Sequence, residues 1–232
     1  MSFAVKNTTF YGPLDLLCPH TCRGCGAMGE LLCKRCKNYI KEAHANVCPK
    51  CHRTIAEGQK RCLDCKNLPF EATFVYGWRE GMLPELVKEY KYQAVRDMAE
   101  VLAGLYAEMI HEGFNEGREV VIVPLPTIGK HVRERGFDHM LSVAKKLARK
   151  RGFLCQPVLK RVNKSVQVGA SEKMRLKQAA EAYAVDGDLD AEKMYLLIDD
   201  VWTTGASMLA ASKKMQEAGA KHLAMAVLEV GK

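Results

Sequence analysis

The apolar positions of this 232-residue chain change their rhythm near residue 71. Residues 13–67 are rich in Cys, Lys and Gly and hold no long apolar run. From Ala72 onward the pattern alternates between two periods. Ala72-Thr-Phe-Val-Tyr-Gly-Trp78 reads as a strand. Leu83–Tyr92 and Met98–His111 carry apolar residues at helical spacing. Glu119–Val123 is a short β-branched run stopped by Pro124 and Pro126. Phe137–Arg151 is predicted helical, with Met140, Val143, Ala144, Leu147 and Ala148 on one face and Gly152 as its C-cap. Tyr195–Ile198 is wholly apolar, as expected of a parallel strand covered on both faces. Ala206–Ala218 is a helix with Met208, Ala211, Met215 and Ala218 on one stripe, closed by Gly219, and His222–Leu228 is a last strand. Strands alternating with helices predict an α/β fold with a mostly parallel sheet and flanking helices over 71–232. A smaller unit, 1–70, precedes it with no linker between them, so the two parts should touch.

Composition adds bounds. At 48% hydrophobic residues the chain can bury a sizeable core. No stretch reaches the ~18 consecutive apolar residues of a membrane helix. Met1–Gly12 has a single lysine and no continuous apolar run, unlike a secretory signal. The expectation is a soluble, cytoplasmic protein with no membrane insertion.

Nine of the ten cysteines lie between Cys18 and Cys65. In a cytoplasmic chain such a cluster points to metal rather than disulfides. Eight pair as Cys22-Arg-Gly-Cys25, Cys33-Lys-Arg-Cys36, Cys48-Pro-Lys-Cys51 and Cys62-Leu-Asp-Cys65. One C-x-x-C turn aims two thiolates at a tetrahedral ion and a second turn completes it. Gly24, Gly26 and Gly29 suit the tight turns. The simplest assignment gives one Zn²⁺ to Cys22, Cys25, Cys33 and Cys36 and another to Cys48, Cys51, Cys62 and Cys65; spacing alone also permits a cross-braced arrangement. A segment too poor in apolar residues for its own core would be held by these ions. Cys18 reads as unpaired, and Cys155 as a small packed hydrophobe.

The most informative stretch is Tyr195-Leu-Leu-Ile-Asp199-Asp200-Val201-Trp202-Thr203-Thr204-Gly205-Ala206-Ser207. An apolar strand ends in two acids, a hydroxyl-rich turn follows, and a helix begins. Ligands of α/β proteins sit at the carboxyl ends of parallel strands. A helix N-terminus offers free N–H groups and a positive dipole end to a phosphate. Gly205 lets the backbone approach closely, and Thr203, Thr204 and Ser207 add hydroxyl donors. Asp199 and Asp200 can accept from vicinal sugar hydroxyls or hold Mg²⁺ through water.

This stretch resembles the phosphoribosyl-pyrophosphate (PRPP) signature of type I phosphoribosyltransferases. With the double zinc ribbon before it, the chain is similar to the ComF family, which is tied to bacterial competence. The resemblance runs over nearly the whole chain. Lys88–Tyr92 looks like the family's lysine–aromatic segment. Val123–Pro126 with Arg133-Glu-Arg135-Gly-Phe137 looks like its pyrophosphate-side loop. Arg161, Gln167 and Arg175 match its spaced polar residues. Asp138-His139 stands where the family has asparagine–glutamine, Gln178 where it often has asparagine, and Tyr183 where it tends to phenylalanine. The resemblance implies a 5-phosphate on Thr203–Ser207, ribose hydroxyls on Asp199 and Asp200, and pyrophosphate near Lys130, Arg133 and Arg135. It implies PRPP or ribose phosphate as ligand with Mg²⁺, in DNA uptake. Whether base transfer occurs is left open by the residues. An adaptor role toward an uptake helicase is the other reading.

Charge bears on the DNA question. The formal charge is +8, and residues 130–177 alone carry 14 Lys/Arg against 3 Asp/Glu. Zinc–thiolate clusters, each about −2, offset most of the surplus in 1–70. The basic 130–177 region therefore predicts an anionic partner, with single-stranded DNA the macromolecular choice. Lys34, Arg35, Lys37, Lys50, Arg53, Lys60 and Arg61 either line phosphates or form a solvated surface. Nothing in the sequence fixes the oligomeric state.

Overall fold

A computed structural model describes residues 20–56, 58–65, 67–93, 95–162 and 182–231. Cys18, Gln167, Arg175 and Gln178, with the basic residues of 163–177, lie outside the described residues. The α/β class expected from the alternation is what is found. In chain order the elements are α1 (Lys34–Glu42), β1 (Ala72–Trp78), α2 (Met82–Tyr92), α3 (Met98–Met109), β2 (Val120–Pro124), α4 (Gly129–Arg135), α5 (His139–Arg151), β3 (Leu154–Cys155), β4 (Leu159–Arg161), β5 (Tyr183–Val185), β6 (Met194–Trp202), α6 (Ala206–Glu217) and β7 (His222–Val230). Five strands form one sheet in the order β1-β7-β6-β2-β3, and every pairing in it is parallel. β4 and β5 form a separate antiparallel pair.

The core explains the apolar runs. Met194, Leu196 and Ile198 of β6, with Ala224, Ala226 and Leu228 of β7, face a cluster shared with α2, α3 and α5. Tyr195, Leu197, Leu223, Met225 and Val227 face the other cluster, where Met208, Ala211 and Met215 of α6 pack. A strand covered on both faces loses its polar alternation. Two differences from the expected spans have local causes. β6 runs four residues past Ile198, through both acids, because β7 keeps pairing with it as far as Val230. α5 begins at His139 rather than Phe137, because Asp138 adopts an extended conformation and its side chain accepts from the N–H of Leu141, capping the helix.

The cysteine-rich region packs on both sheet faces. Cys22, Leu32, Cys36 and Ile40 belong to the first cluster; Val47, Cys48, Ile55 and Cys62 belong to the second. It also covers the free edge of β1: the N–H of Thr73 donates to the carbonyl of Lys60 (2.7 Å), and that of Ala45 donates to the carbonyl of Tyr76 (3.2 Å). An uncovered edge strand would offer those groups to other chains. The expected contact between the two parts is thus extensive. Among the described residues no helix is long and apolar enough to cross a membrane.

Leu32 is 1% exposed and packs in the cluster that also holds Leu83, Leu86 and Tyr90 of α2. Leu32→Ala should therefore destabilise the whole zinc-loaded chain by about 2–4 kcal/mol. Urea unfolding followed by tryptophan fluorescence checks this, since both tryptophans lie in or beside the sheet. A loss below about 0.5 kcal/mol would show that the cysteine-rich region unfolds on its own.

Candidate functional site

β6 carries Asp199 and Asp200 to the carboxyl end of the sheet, and the chain then turns through Thr203–Gly205 into α6. Gly205 has φ 74°, and a Cβ there would lie 2.1 Å from the ring of the buried Trp202. The turn therefore requires glycine both for its backbone and for its space. Thr203 and Thr204 are exposed, and the N–H of Ala206 donates to Thr204 Oγ1 (3.4 Å).

Asp200 is 5% exposed, so its charge needs partners. Lys91 of α2 forms an ion pair with Oδ2, and Nε2 of His139 lies 3.3 Å from the same oxygen. On the far side of the imidazole, Arg135 donates to Nδ1 (3.2 Å), and Thr127 Oγ1 is 3.1 Å away. With Nδ1 accepting from Arg135, the imidazole proton sits on Nε2 and points at Asp200. Burial would raise the Asp200 carboxyl, but the His139 hydrogen bond and the Lys91 charge overcome it and hold the group at about 2.

Asp199 differs. Its Oδ1 accepts from the N–H of Asp200 (3.0 Å), and its carbonyl accepts from the Tyr106 hydroxyl. Burial and the neighbouring Asp200 charge push its carboxyl well above the usual carboxylate range. A sugar hydroxyl or a cation at Asp199 would relieve that repulsion.

Arg161 of β4 donates to the Tyr183 hydroxyl (3.3 Å) and lies over its ring, 5.5 Å from the centroid. Ser207 reaches the same phenol, so β5 touches the start of α6. Of the two arginines expected on the pyrophosphate side, Arg135 joins the Asp200 network and stacks on Tyr92. Arg133 is exposed on α4 and folds back toward Gly129.

The sequence did not single out Lys91, His139 or Glu229 as site residues. Glu229 of β7 is 2% exposed, opposes Val201, and has Arg79 Nε 3.6 Å from Oε2 while Oε1 has no partner. Nothing in a single sequence pairs a helix lysine with an acid more than a hundred residues away. Part of the basic surplus is also committed internally: Lys146, Arg149 and Lys150 of α5 all pair with Glu100.

The cysteine sets are brought together in sequential order. Cys22, Cys25, Cys33 and Cys36 form one group and Cys48, Cys51, Cys62 and Cys65 the other, with thiols within 4.8 Å of one another in each. Cys25 Sγ–Cys33 Sγ and Cys51 Sγ–Cys62 Sγ are both 3.7 Å. A tetrahedral zinc with ~2.3 Å bonds has ligand edges of about 3.8 Å, and a disulfide would need ~2.05 Å. Each group can therefore bind one zinc ion.

Burial, with the Asp200 charge adding, pushes the Glu229 carboxyl up to about 7 from an ordinary 4.5. Between those values the folded chain keeps a proton that the unfolded chain has lost. Stability should thus be undiminished by Glu229 below pH 4.5, fall as pH rises to about 7, and level off above. The span is on the order of 3 kcal/mol. Urea unfolding across this range should show Glu229→Gln with a flatter limb than the unmodified chain. Parallel curves would mean Glu229 is already ionised at pH 5.

No family model matches the chain. It is 25% identical over 199 residues to a curated protein of Streptococcus pneumoniae named Competence protein ComFC, covering 83% of this chain and 84% of that one. It is 24% identical over 200 residues to the Bacillus subtilis protein of the same name, covering 82% and 80%. A solved hypoxanthine phosphoribosyltransferase of Staphylococcus aureus aligns with a TM-score of 0.32 and 11% identity, over 59% of this chain and 63% of that one. The resemblance to the ComF family, drawn from the cysteine knuckles and the Asp199–Ser207 stretch, is borne out by relatives that match the chain along most of both lengths.

Proposed function

We propose that this protein binds PRPP or a ribose phosphate, with Mg²⁺, at Asp199–Ser207, and acts in DNA uptake. The competence role follows the names of its curated relatives. The observation that carries the ligand reading is the junction of β6 and α6. A buried, ionised Asp200 and a partly buried Asp199 stand directly before an exposed Thr203–Thr204 pair and the N-terminus of a 12-residue helix. Hydroxyl acceptors and phosphate donors are thereby spaced a few residues apart, as a sugar phosphate requires.

In this reading the first N–H groups of α6 and the hydroxyls of Thr203, Thr204 and Ser207 hold the 5-phosphate. Asp199 accepts from the ribose hydroxyls. Lys91 and His139 keep Asp200 ionised, and Arg135 orients His139 while presenting positive charge toward the pyrophosphate. Among the described residues Asp199 and Asp200 do not assemble with a third metal-ligating side chain. That suits Mg²⁺, which is held mostly by water and substrate phosphates; when bound it neutralises the pyrophosphate charge.

The division into a double zinc ribbon, 1–70, and a phosphoribosyltransferase-like domain, 71–232, belongs to the same reading, as does handling of single-stranded DNA. With Lys146, Arg149 and Lys150 engaged by Glu100, DNA contact rests on the remaining basic residues of the surface.

Calorimetric titration of the zinc-loaded protein with PRPP and Mg²⁺ tests the site. Binding should be measurable, and Asp199→Ala should weaken it at least tenfold. Unchanged affinity in that variant would remove Asp199 from the site. Metal analysis of purified protein should find two zinc ions per chain, falling to one in the Cys48→Ser, Cys51→Ser double variant. A value well under one in the unmodified protein would overturn the zinc assignment.

A further inference from the structure

The Thr203–Gly205 turn has two sides. One leads back along β6 to Asp200, paired with Lys91 and His139. Toward β7, Thr203, Thr204 and Gly231 line two adjoining cavities of about 330 and 340 Å³. The second is completed by Arg79 and Glu80. The first is closed by the Cys48–Cys51 knuckle, with Lys50 and His52 in its wall.

The turns at Cys22–Cys25 and Cys48–Cys51, each the first of its four-cysteine group, are built alike, which makes the difference between them informative. In the first, the N–H of Cys22 donates to the carbonyl of Ala27 (2.7 Å) and that of Gly26 donates to the carbonyl of Cys22 (2.7 Å). In the second, the N–H of Cys48 donates to the carbonyl of Arg53 (2.8 Å) and that of His52 donates to the carbonyl of Cys48 (2.9 Å). The residue after the second cysteine is left-handed in both: Gly26 at φ 74° and His52 at φ 64°. Glycine is at ease there, whereas a residue with a Cβ is not. Of these two turns, the one that abuts the phosphate loop carries a side chain at this position. That ring is set edge-on against Trp78, with centroids 5.2 Å apart and planes at 83°. The contact fixes the imidazole where it borders the cavity shared with Thr203 and Thr204.

We propose that Lys50 and His52 are ligand-binding residues of the phosphate loop. They approach from the β7 side the same phosphate that Thr203, Thr204 and the start of α6 hold. The ligand class is a phosphate monoester, the 5-phosphate of the ribose phosphate, and this rests on the ligand reading given above. Lys50 supplies a mobile ammonium and His52 an imidazole N–H, so the phosphate is enclosed by donors from two separate parts of the chain. The second four-cysteine cluster is then part of the binding site, because it fixes the backbone that carries both residues.

The test compares the unmodified, zinc-loaded chain with Lys50→Ala and His52→Gly. Each is titrated with ribose 5-phosphate and with PRPP plus Mg²⁺, with zinc content and thermal midpoint as controls. Ribose 5-phosphate carries only the phosphate in question. Each variant should lose about tenfold in affinity for both ligands, by the same factor. His52→Gly should do so with two zinc ions retained and a thermal midpoint equal or higher, since glycine adopts the left-handed conformation freely. A residue with a purely structural role would show the opposite pairing of results. Unchanged affinity in either variant removes that residue from the site. A loss confined to PRPP would place the contact on the pyrophosphate and overturn the assignment to the loop phosphate. If the unmodified chain binds neither compound, the reading of the loop itself falls, and this one with it.

Discussion

The burial of the Asp200 carboxylate is the constraint on which the arrangement of the site depends. A charge 5% exposed at the end of a central strand is tolerable only with opposite charge and hydrogen-bond donors close by. Lys91 comes from α2 and His139 from the first turn of α5, so both helices must end or begin at the carboxyl edge of β6. His139 in turn is held by Arg135 and Thr127, which draws α4 and the β2–α4 connection to the same point. One buried acid thereby gathers four separated segments. Removing either Lys91 or His139 would leave the remaining partner facing an under-compensated charge. Asp199, its neighbour on the strand, is left with the consequence: burial and the adjacent Asp200 charge push its carboxyl well above the usual range.

A second constraint comes from the cysteine-rich region. It has few large apolar residues, yet it contributes Leu32 and Ile40 to one face of the sheet and Val47 and Ile55 to the other. Those side chains suffice only because the four-thiol groups fix the backbone that bears them. The same region supplies the carbonyl of Lys60 and the N–H of Ala45 that complete the edge of β1. The turns that bear the four-thiol groups thus do the work that a further strand or helix does in larger α/β domains. Close approach has its own demand. A Cβ on Gly24 would lie 2.6 Å from Met82 Sδ and 2.7 Å from Cys36 Sγ, so the first knuckle can meet α2 only through glycine.

What the sequence disclosed and what it hid divide along the range of the interactions. The knuckles were legible because the two thiols of each lie in one turn, and the sequential grouping was the simplest of the arrangements their spacing allowed. The strands β1, β2, β6 and β7 and the helices α2, α3, α5 and α6 were legible from period alone, to within a few residues. The short α1 escaped because only Cys36 and Ile40 of it are buried, too few to set a period. β3, β4 and β5 escaped because two or three residues define no alternation. Lys91, His139 and Glu229 escaped for a different reason: each matters only through contact with β6, which no local pattern reports. Asp138-His139 was visible only as a departure from the family's asparagine–glutamine. In the structure the pair has two local roles, Asp138 capping α5 and His139 bonding Asp200.

The placement of the Cys48–Cys51 knuckle follows from the sheet order. β7 separates β6 from β1, so the turn after β6 has β7 and then β1 on one side and β2 on the other. The cysteine-rich region precedes β1 and packs along that edge, which brings its second half across the end of β7 and against Thr203 and Thr204. Elsewhere around the turn, Tyr183 with Arg161 reaches Ser207 at the start of α6, and Lys91 and His139 pair with Asp200 of β6. In the proposed reading the phosphate loop is flanked by chain segments that share no secondary structure. An anion between them would be held by charge from both, and each wall would be steadied by the other's grip on it. In a protein whose amino-terminal region lacks an apolar core of its own, a ligand shared across the boundary contributes to stability as well as to recognition.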